Sequence, residues 1–253
     1  MEGDVAMKQY EAVIQALEEL GGYATLGELY AAALKIPDVK WGTKTPCASI
    51  RRIVQKHEEF FKIRPGLWAL KKYKDKLPQP LRAAVQTSRQ SEEVRRFDHT
   101  YYQGLLIQMG NWKNYITYVP AQDKNRRFLE KQTLGSMAKK TDMPCFTYPA
   151  IVNRVKSVDV IWFNNRELPK SVFEVEHSTD IKNSLIKYVE LADFRTDMTI
   201  VADARRKREF EDVLNSRAFE PIARLVRFWS YQKLFISYEE ELALSAFNVS
   251  DFS

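Results

Sequence analysis

The chain has 253 residues, of which 45% are hydrophobic and 28% are charged. This length suits one large or two small domains, and the hydrophobic content can fill the core of either, so we expect a globular, bipartite protein. No uninterrupted apolar run reaches the roughly 18 residues of a membrane span, and residues 1–8 lack the apolar stretch of a signal peptide. These features exclude an integral membrane protein and predict a cytoplasmic location with no membrane partner.

Charge and cysteine usage narrow the functional classes further. The formal net charge is +6 and the pI is about 9.1, which favours a polyanionic partner because Lys and Arg displace counterions from phosphates. Many basic proteins bind no nucleic acid, so this signal is weak by itself. Cys47 and Cys145 are too few and too distant to suggest a zinc site, and we expect two thiols.

The first seventy residues show three helical patterns followed by a strand-like one. Apolar residues repeat with the helical period over residues 7–20, and further helices are predicted to begin at the cap residues Thr25 and Thr45. Residues 60–70 are typical of a short hairpin with a turn at Arg64-Pro65-Gly66. Three helices followed by a hairpin is the layout of a winged helix.

The segments "TPCASIRRIVQKH" and "FFKIRPGLWAL" make residues 12–70 resemble the HARE-type winged helix that accompanies restriction endonucleases and some chromatin proteins. The resemblance implies that the third helix approaches DNA and that the hairpin touches the backbone. The residues expected to contact DNA are Lys44, Ser49, Arg51, Arg52, Gln55, Lys62 and Arg64. The same polar residues would also suit the solvated face of an ordinary helix, and winged helices also serve as protein-binding modules.

Residues 71–96 are rich in Lys, Gln, Ser and Arg, and they include Pro78 and Pro80. Their helical pattern is weak, so we predict a linker between a winged-helix domain at 1–70 and a second domain at 97–253.

The second domain shows a succession of helical and strand-like patterns. Predicted helices cover 98–109, a polar stretch ending at 131, and 179–192, whereas predicted strands cover 115–119, 158–163, 171–176 and 198–202. Asn164-Asn165 indicates a tight turn that makes the strands on either side of it antiparallel. Residues 222–235 are also strand-like, without recognisable chemistry.

Three acidic residues fall on this hairpin. Glu174 and Glu176 project to one face of their strand because side chains alternate, and in the simplest register Asp159 lies close to them. Crowded carboxylates repel unless a cation neutralises them, and all-oxygen ligation suits Mg²⁺ or Mn²⁺. The alternative is that the two glutamates form the solvated face of an amphipathic strand.

The order of "HTYYQGLLIQMGNWKNYITYVPAQDKN", "VDVIWF" and "VFEVEHSTDIKNSLIKYVEL" resembles the PD-(D/E)xK nuclease superfamily over residues 98–203. The resemblance implies an α/β restriction-endonuclease-like domain with an αβββαβ core and a mixed central sheet. It also implies Asp159, Glu174 and Glu176 as catalytic residues, with Asp159, Glu174 and the Val175 carbonyl as ligands of Mg²⁺ or Mn²⁺.

The sequence departs from this family at one position, where Glu176 replaces the usual Lys. The substitution occurs in a minority of active restriction enzymes and in some inactive relatives. Glu176 would then accept the proton of the attacking water or bind a second ion. The positive charge would have to come from the metal ions or from Lys182 and Lys187.

Four further polar residues are candidates for an accessory role. His99 and Gln103 lie one helical turn apart and are predicted to point at the site, with helix packing as the alternative. Asp123 is either a turn residue or an outer acidic ligand. Strand alternation turns His177 away from the two glutamates, so a supporting or structural role fits it as well as a catalytic one.

The leading hypothesis is a metal-dependent DNA endonuclease of a restriction or defence system that acts on double-stranded DNA, with cleavage of both strands favouring a homodimer. The main alternative is a non-catalytic DNA-binding protein with a decayed nuclease fold. A third is an RNA nuclease or a structural subunit of a larger nucleic-acid complex.

Overall fold

The computed structural model of the chain describes residues 7–87, 91–177 and 181–250, with side chains up to residue 245. It divides into two compact units, Met1–Val94 and Arg95–Ser253. The segment expected to be a linker lies at this division and is largely helical. It contains a 3-10 helix at Lys71–Lys76, and the buried side chains of Leu77 and Leu81 tie it to the first unit.

The first unit combines helices with a small antiparallel sheet. Its elements in chain order are α1 (Gln9–Glu19), β1 (Tyr23–Thr25), α2 (Leu26–Ala33), α3 (Pro46–Lys56), β2 (Phe60–Arg64), β3 (Leu67–Leu70) and α4 (Gln79–Gln86). Within the described residues, three strands pair in the order β1-β3-β2.

Local sequence signals account for the starts and turns of these elements. The Thr25 hydroxyl accepts a hydrogen bond from the Glu28 backbone N–H, and the Glu28 carboxylate accepts one from the Thr25 backbone N–H, so these two residues form a capping box at the start of α2. Pro46 is the first residue of α3, where its missing N–H costs nothing. Gly66 has a φ of +81° in the turn between β2 and β3, a conformation that favours glycine.

The second unit is built on a mixed sheet. Its elements in chain order are α5 (Glu92–Trp112), β4 (Ile116–Tyr118), β5 (Arg127–Phe128), β6 (Gln132–Thr133), α6 (Leu134–Met137), α7 (Pro149–Val155), β7 (Val160–Phe163), β8 (Pro169–Glu176), α8 (Ile181–Val189), β9 (Asp197–Ala202), α9 (Lys207–Leu214), β10 (Val226–Ser230) and α10 (Tyr231–Ser250). Within the described residues, five strands pair in the order β10-β9-β8-β7-β4. β8, β9 and β10 run parallel, whereas β7 is antiparallel to both β8 and β4.

The two faces of this sheet are covered by different helices. α8 packs its apolar side chains Ile181, Leu185 and Tyr188 into the main core cluster on one face. On the other face, the Trp162 indole N–H donates to the Leu106 carbonyl of α5 at 3.0 Å. The predicted α/β class with a mixed sheet is confirmed.

Several sequence predictions were wrong in detail. The polar stretch before residue 131 is not a helix: it forms turns and the β5–β6 hairpin. The strand-like pattern over 222–235 holds only for β10, and α10 begins at Tyr231, because short aromatic runs do not distinguish strands from helices. The turn between β7 and β8 is longer than two residues, and the Asn164 side chain closes it by accepting from the backbone N–H groups of Arg166 and Leu168.

The helix predicted over 179–192 begins outside the described residues, and its described part is α8. Among the helices that the structure describes, none combines the length and the apolar character needed to cross a lipid bilayer.

Candidate active site

The β7–β8 hairpin brings the three predicted acidic residues together. Val160 lies opposite Phe173 in the antiparallel register, so the next residue back, Asp159, falls beside Glu174. The Asp159 Oδ2 atom accepts a hydrogen bond from the Val175 N–H at 2.7 Å, and Asp159 is 8% exposed. The carboxylate is therefore held at the end of the hairpin with little contact with solvent.

Glu174 is buried against α8. Its Oε1 atom lies 2.8 Å from the Lys187 Nζ atom, and its Oε2 atom accepts from the Ser184 hydroxyl at 3.2 Å. Burial, together with the nearby Asp159 charge, raises the pKa of Glu174 well above its usual range, although Lys187 opposes this shift. The arrangement favours a carboxyl group that can hold a proton.

Glu176 shares the same hydroxyl, as strand alternation predicts. The Ser184 hydroxyl also hydrogen-bonds the Glu176 Oε1 atom, and the Glu176 Oε2 atom lies 4.0 Å from the Arg206 Nη1 atom. The backbone carbonyl of Glu176 accepts from the Tyr231 hydroxyl at 3.3 Å. A cation from the chain therefore faces each of the two glutamates.

A second group of polar residues lies on the α5 side of Asp159. The His99 Nε2 atom is 3.5 Å from Asp159 Oδ1 and 3.8 Å from Asp123 Oδ2, and the His99 Nδ1 atom is 3.1 Å from the Val175 carbonyl oxygen. The Gln103 amide donates to Asp123 Oδ2 at 2.8 Å and to the Asp159 carbonyl at 3.3 Å. His99 and Gln103, which lie one helical turn apart, thus lie beside Asp159 together with Asp123.

The two carboxylates control the charge of His99. Burial disfavours the imidazolium, but Asp159 and Asp123 outweigh this effect and raise the pKa of His99 to about 10. Burial alone would raise the pKa of Asp123, yet the nearby His99, the hydrogen bond from Gln103 and the Arg126 charge leave it lowered. Without another cation, the imidazolium balances the carboxylates.

Of the remaining accessory candidates, His177 borders this group, with its ring centroid 5.9 Å from that of His99. The His177 Nδ1 atom is 2.7 Å from the Tyr231 hydroxyl, and its ring lies near those of Tyr102 and Tyr231. Lys182 is exposed on α8, whereas Lys187 reaches Glu174. The two lysines, both candidates by sequence for supplying positive charge to the site, therefore have different surroundings.

The residues expected to bind DNA in the first unit differ in exposure. Lys62 is exposed on the hairpin, and on or beside α3 the side chains of Lys44, Ser49, Arg51, Arg52 and Gln55 are at least partly exposed. Arg64 is buried, and its Nη1 atom donates to the carbonyls of Ile63 and Ala84 at 2.8 and 3.0 Å. The prediction that Arg64 contacts the DNA backbone is therefore wrong, because its buried guanidinium joins β2 to α4.

Sequence reasoning did not single out Ser184, Arg206 or Tyr231. Ser184 lies three residues before Lys187, a helical spacing that places both on one face, so this signal was available. Arg206 belongs to the run Arg205–Arg208, which by itself is typical of a solvated surface. Only the tertiary structure brings it to Glu176.

A known protein family matches most of this chain. Residues 76–248 match the family described as the Type II restriction enzyme NmeDI C-terminal domain. The chain is 27% identical over 124 residues to the Type II restriction enzyme NmeDI of Neisseria meningitidis serogroup C, a match that covers 45% of this chain and 35% of that protein. The chain thus spans about a third of the curated relative, and no solved structure matches. The family match covers more than half of the chain and contains every acidic residue of the site, so the chain belongs to the family of Type II restriction enzyme NmeDI C-terminal domains.

Proposed function

We propose that this protein is a metal-dependent endonuclease that hydrolyses phosphodiester bonds of double-stranded DNA in a restriction or other defence system. The observation that carries the proposal is the cluster of buried carboxylates of Asp159, Glu174 and Glu176 at one end of the β7–β8 hairpin. The cluster lies in a chain of a restriction-enzyme family. Its order of helices and strands supports the PD-(D/E)xK assignment.

The carboxylates suit a hard divalent cation such as Mg²⁺ or Mn²⁺. Buried carboxylates are costly unless their charge is balanced, and within the described part of the chain the buried Glu176 Oε2 atom has no hydrogen-bond partner. Asp159 and Glu174 would hold the ion, which supplies a more acidic bound water and stabilisation of the charge that develops on the phosphate. The Val175 carbonyl, proposed as a further ligand, faces His99 in this structure.

The residues around the carboxylates would prepare them for this reaction. The Ser184 hydroxyl lies within hydrogen-bond distance of both glutamates and keeps them side by side, and Lys187 holds Glu174 in place. Glu176 would accept a proton from the attacking water or bind a second ion. Lys187 and Arg206 would supply the positive charge that Glu176 cannot provide in the place of the family's Lys.

We also propose that the first unit is a winged helix that binds DNA. The order α1-β1-α2-α3-β2-β3, with a small antiparallel sheet, supports this assignment. The phosphate and base contacts would come from the accessible polar residues on or beside α3 and from Lys62. A homodimer would allow both strands to be cut.

The proposal is tested by incubating the purified chain with a mixture of plasmid, phage and modified DNAs, with Mg²⁺, with Mn²⁺ or with EDTA. We expect cleavage that requires the metal, that is lost in Asp159→Asn, and that persists in Asp212→Asn, which changes an exposed carboxylate of α9. Glu176 in the place of Lys favours one alternative, a DNA-binding protein without catalysis. That alternative predicts a DNA mobility shift with intact DNA under every metal condition.

A further inference from the structure

The cluster of His99, Asp123 and Asp159 has the spacing of a metal-ligand set. One ligand atom from each residue lies within 4.8 Å of the other two. The His99 Nε2 atom is 3.5 and 3.8 Å from the nearest oxygens of Asp159 and Asp123, beyond the roughly 3.2 Å upper limit of a good N–H···O bond. Ligand atoms that each lie about 2.0 to 2.2 Å from one ion are about 3 to 4 Å apart. The distances from the His99 nitrogen to the two carboxylate oxygens are therefore those of ligands around a cation rather than those of direct hydrogen bonds.

The imidazole of His99 is oriented for metal binding. Its Nδ1 atom lies 3.1 Å from the Val175 carbonyl oxygen, which can only accept a hydrogen bond. Nδ1 must therefore carry a proton, and in the neutral ring the lone pair is left on Nε2, which faces the two carboxylates. Histidines that bind metals characteristically donate their other ring N–H to a carbonyl or a carboxylate in this way.

Gln103 gives an independent indication of a ligand at this place. The side chain is fully buried, and its amide nitrogen donates to Asp123 and to the Asp159 carbonyl. Its Oε1 atom is buried without a hydrogen-bond partner among the residues that the structure describes. A buried acceptor without a partner, on a side chain whose nitrogen donates to Asp123, requires a donor, and a water molecule bound to a metal ion would provide one.

We propose that His99, Asp123 and Asp159 form a binding site for a first-row transition-metal ion such as Mn²⁺, Co²⁺ or Zn²⁺, with the His99 Nε2 atom as a nitrogen ligand. An imidazole ligand favours these ions over Mg²⁺, which prefers oxygen ligands. The inference deepens the proposed function and rests on it in one respect: Asp159 would bind both this ion and the ion that it shares with Glu174. It adds to the ion held by Asp159 and Glu174 a second ion that is selective for a transition metal and whose binding does not require Glu174.

The test is a titration of the metal-free full chain with Co²⁺ in the absence of DNA, followed by visible absorption and by calorimetry. We expect His99→Gln and Asp123→Asn each to lower the Co²⁺ affinity by more than about 100-fold, since even residues outside the ligand shell change metal affinity by about 10- to 100-fold. Glu174→Gln and Asp212→Asn should retain the spectrum, and a large excess of Mg²⁺ should leave Co²⁺ bound. Pulsed electron paramagnetic resonance of bound Mn²⁺ in the unaltered chain should show coupling to an imidazole nitrogen, a result that requires no variant to fold.

The inference is overturned if His99→Gln binds Co²⁺ with unchanged affinity and spectrum, or if Mn²⁺ shows no nitrogen coupling. Loss of Co²⁺ in Glu174→Gln with retention in His99→Gln would instead assign the ion to Asp159 and Glu174. Cleavage is measured on the same preparations. Bound Co²⁺ with intact DNA under every metal condition would contradict the nuclease proposal and leave the metal site standing.

Discussion

Two groups of buried polar residues meet at Asp159, and they balance their charges differently. On the α8 side, Glu174 and Glu176 share the Ser184 hydroxyl and face cations of the chain, Lys187 and Arg206. On the α5 side, Asp123 pairs with Arg126 at 2.9 Å, and Asp123 and Asp159 converge on the His99 imidazole at distances too long for good hydrogen bonds. Each glutamate of the α8 group therefore faces a cation of the chain, whereas the α5 group combines one such ion pair with the spacing of a metal-ligand set.

The largest effect is expected where a buried charge would lose its partner. Replacing Lys187 by Met leaves the Glu174 carboxylate, whose side chain is 3% exposed, without the ammonium at 2.8 Å. We expect a loss of about 3 to 5 kcal/mol in the free energy of unfolding, measured by urea denaturation. The double variant Lys187→Met with Glu174→Gln should recover most of this loss, and a simple sum of the two single losses would contradict the pairing.

The shared hydroxyl gives a smaller test of the same group. Ser184→Ala removes the donor that bridges Glu174 and Glu176, and hydrogen bonds to charged groups are worth about 1.5 to 3 kcal/mol. We expect a loss in that range, together with slower DNA cleavage. Ser136→Ala is the matched control, because the exposed Ser136 hydroxyl donates to the Thr133 carbonyl at 2.8 Å and not to a buried carboxylate. Equal losses in both variants would argue against a special role for Ser184.

The packing beside the α5 group can be tested without changing a charge. A Cβ atom at Gly104, the residue after Gln103, would lie 2.1 Å from the Cδ2 atom of Phe128. Gly104→Ala should therefore cost about 1 to 3 kcal/mol by overpacking and weaken Co²⁺ binding by displacing α5. Thermal unfolding and the Co²⁺ titration measure these effects. The additional change Phe128→Leu should relieve part of the first effect if the clash is its cause.

The smallest effect is expected at Lys182, which is exposed on the same helix as Lys187. Lys182→Met should change the free energy of unfolding by no more than about 0.5 kcal/mol, because exposed charges contribute little. Identical urea denaturation of this variant and Lys187→Met would remove the distinction between the two lysines.

The local features of the site could be predicted from the sequence. Side chains alternate along a strand with a period of two, so the pattern from Phe173 to Glu176 places both glutamates on one face whatever the rest of the fold does. The antiparallel pairing of β7 with β8 is likewise a property of neighbouring segments, and it brings Asp159 beside Glu174. The capping box at Thr25 depends on residues only three positions apart.

Contacts between distant segments were decided by the tertiary structure. Asp123 lies in the polar stretch before residue 131 that was wrongly predicted as a helix, and only the packing of α5 brings it to His99. By sequence, Arg206 belongs to a basic run that is typical of a solvated surface, but the fold places it near Glu176. Arg64 is by sequence a candidate for DNA contact, but its guanidinium donates to the Ala84 carbonyl of α4. The physical reason is that periodicity and capping act over a few residues. The partner of a buried charge is chosen instead by which distant segments can pack together.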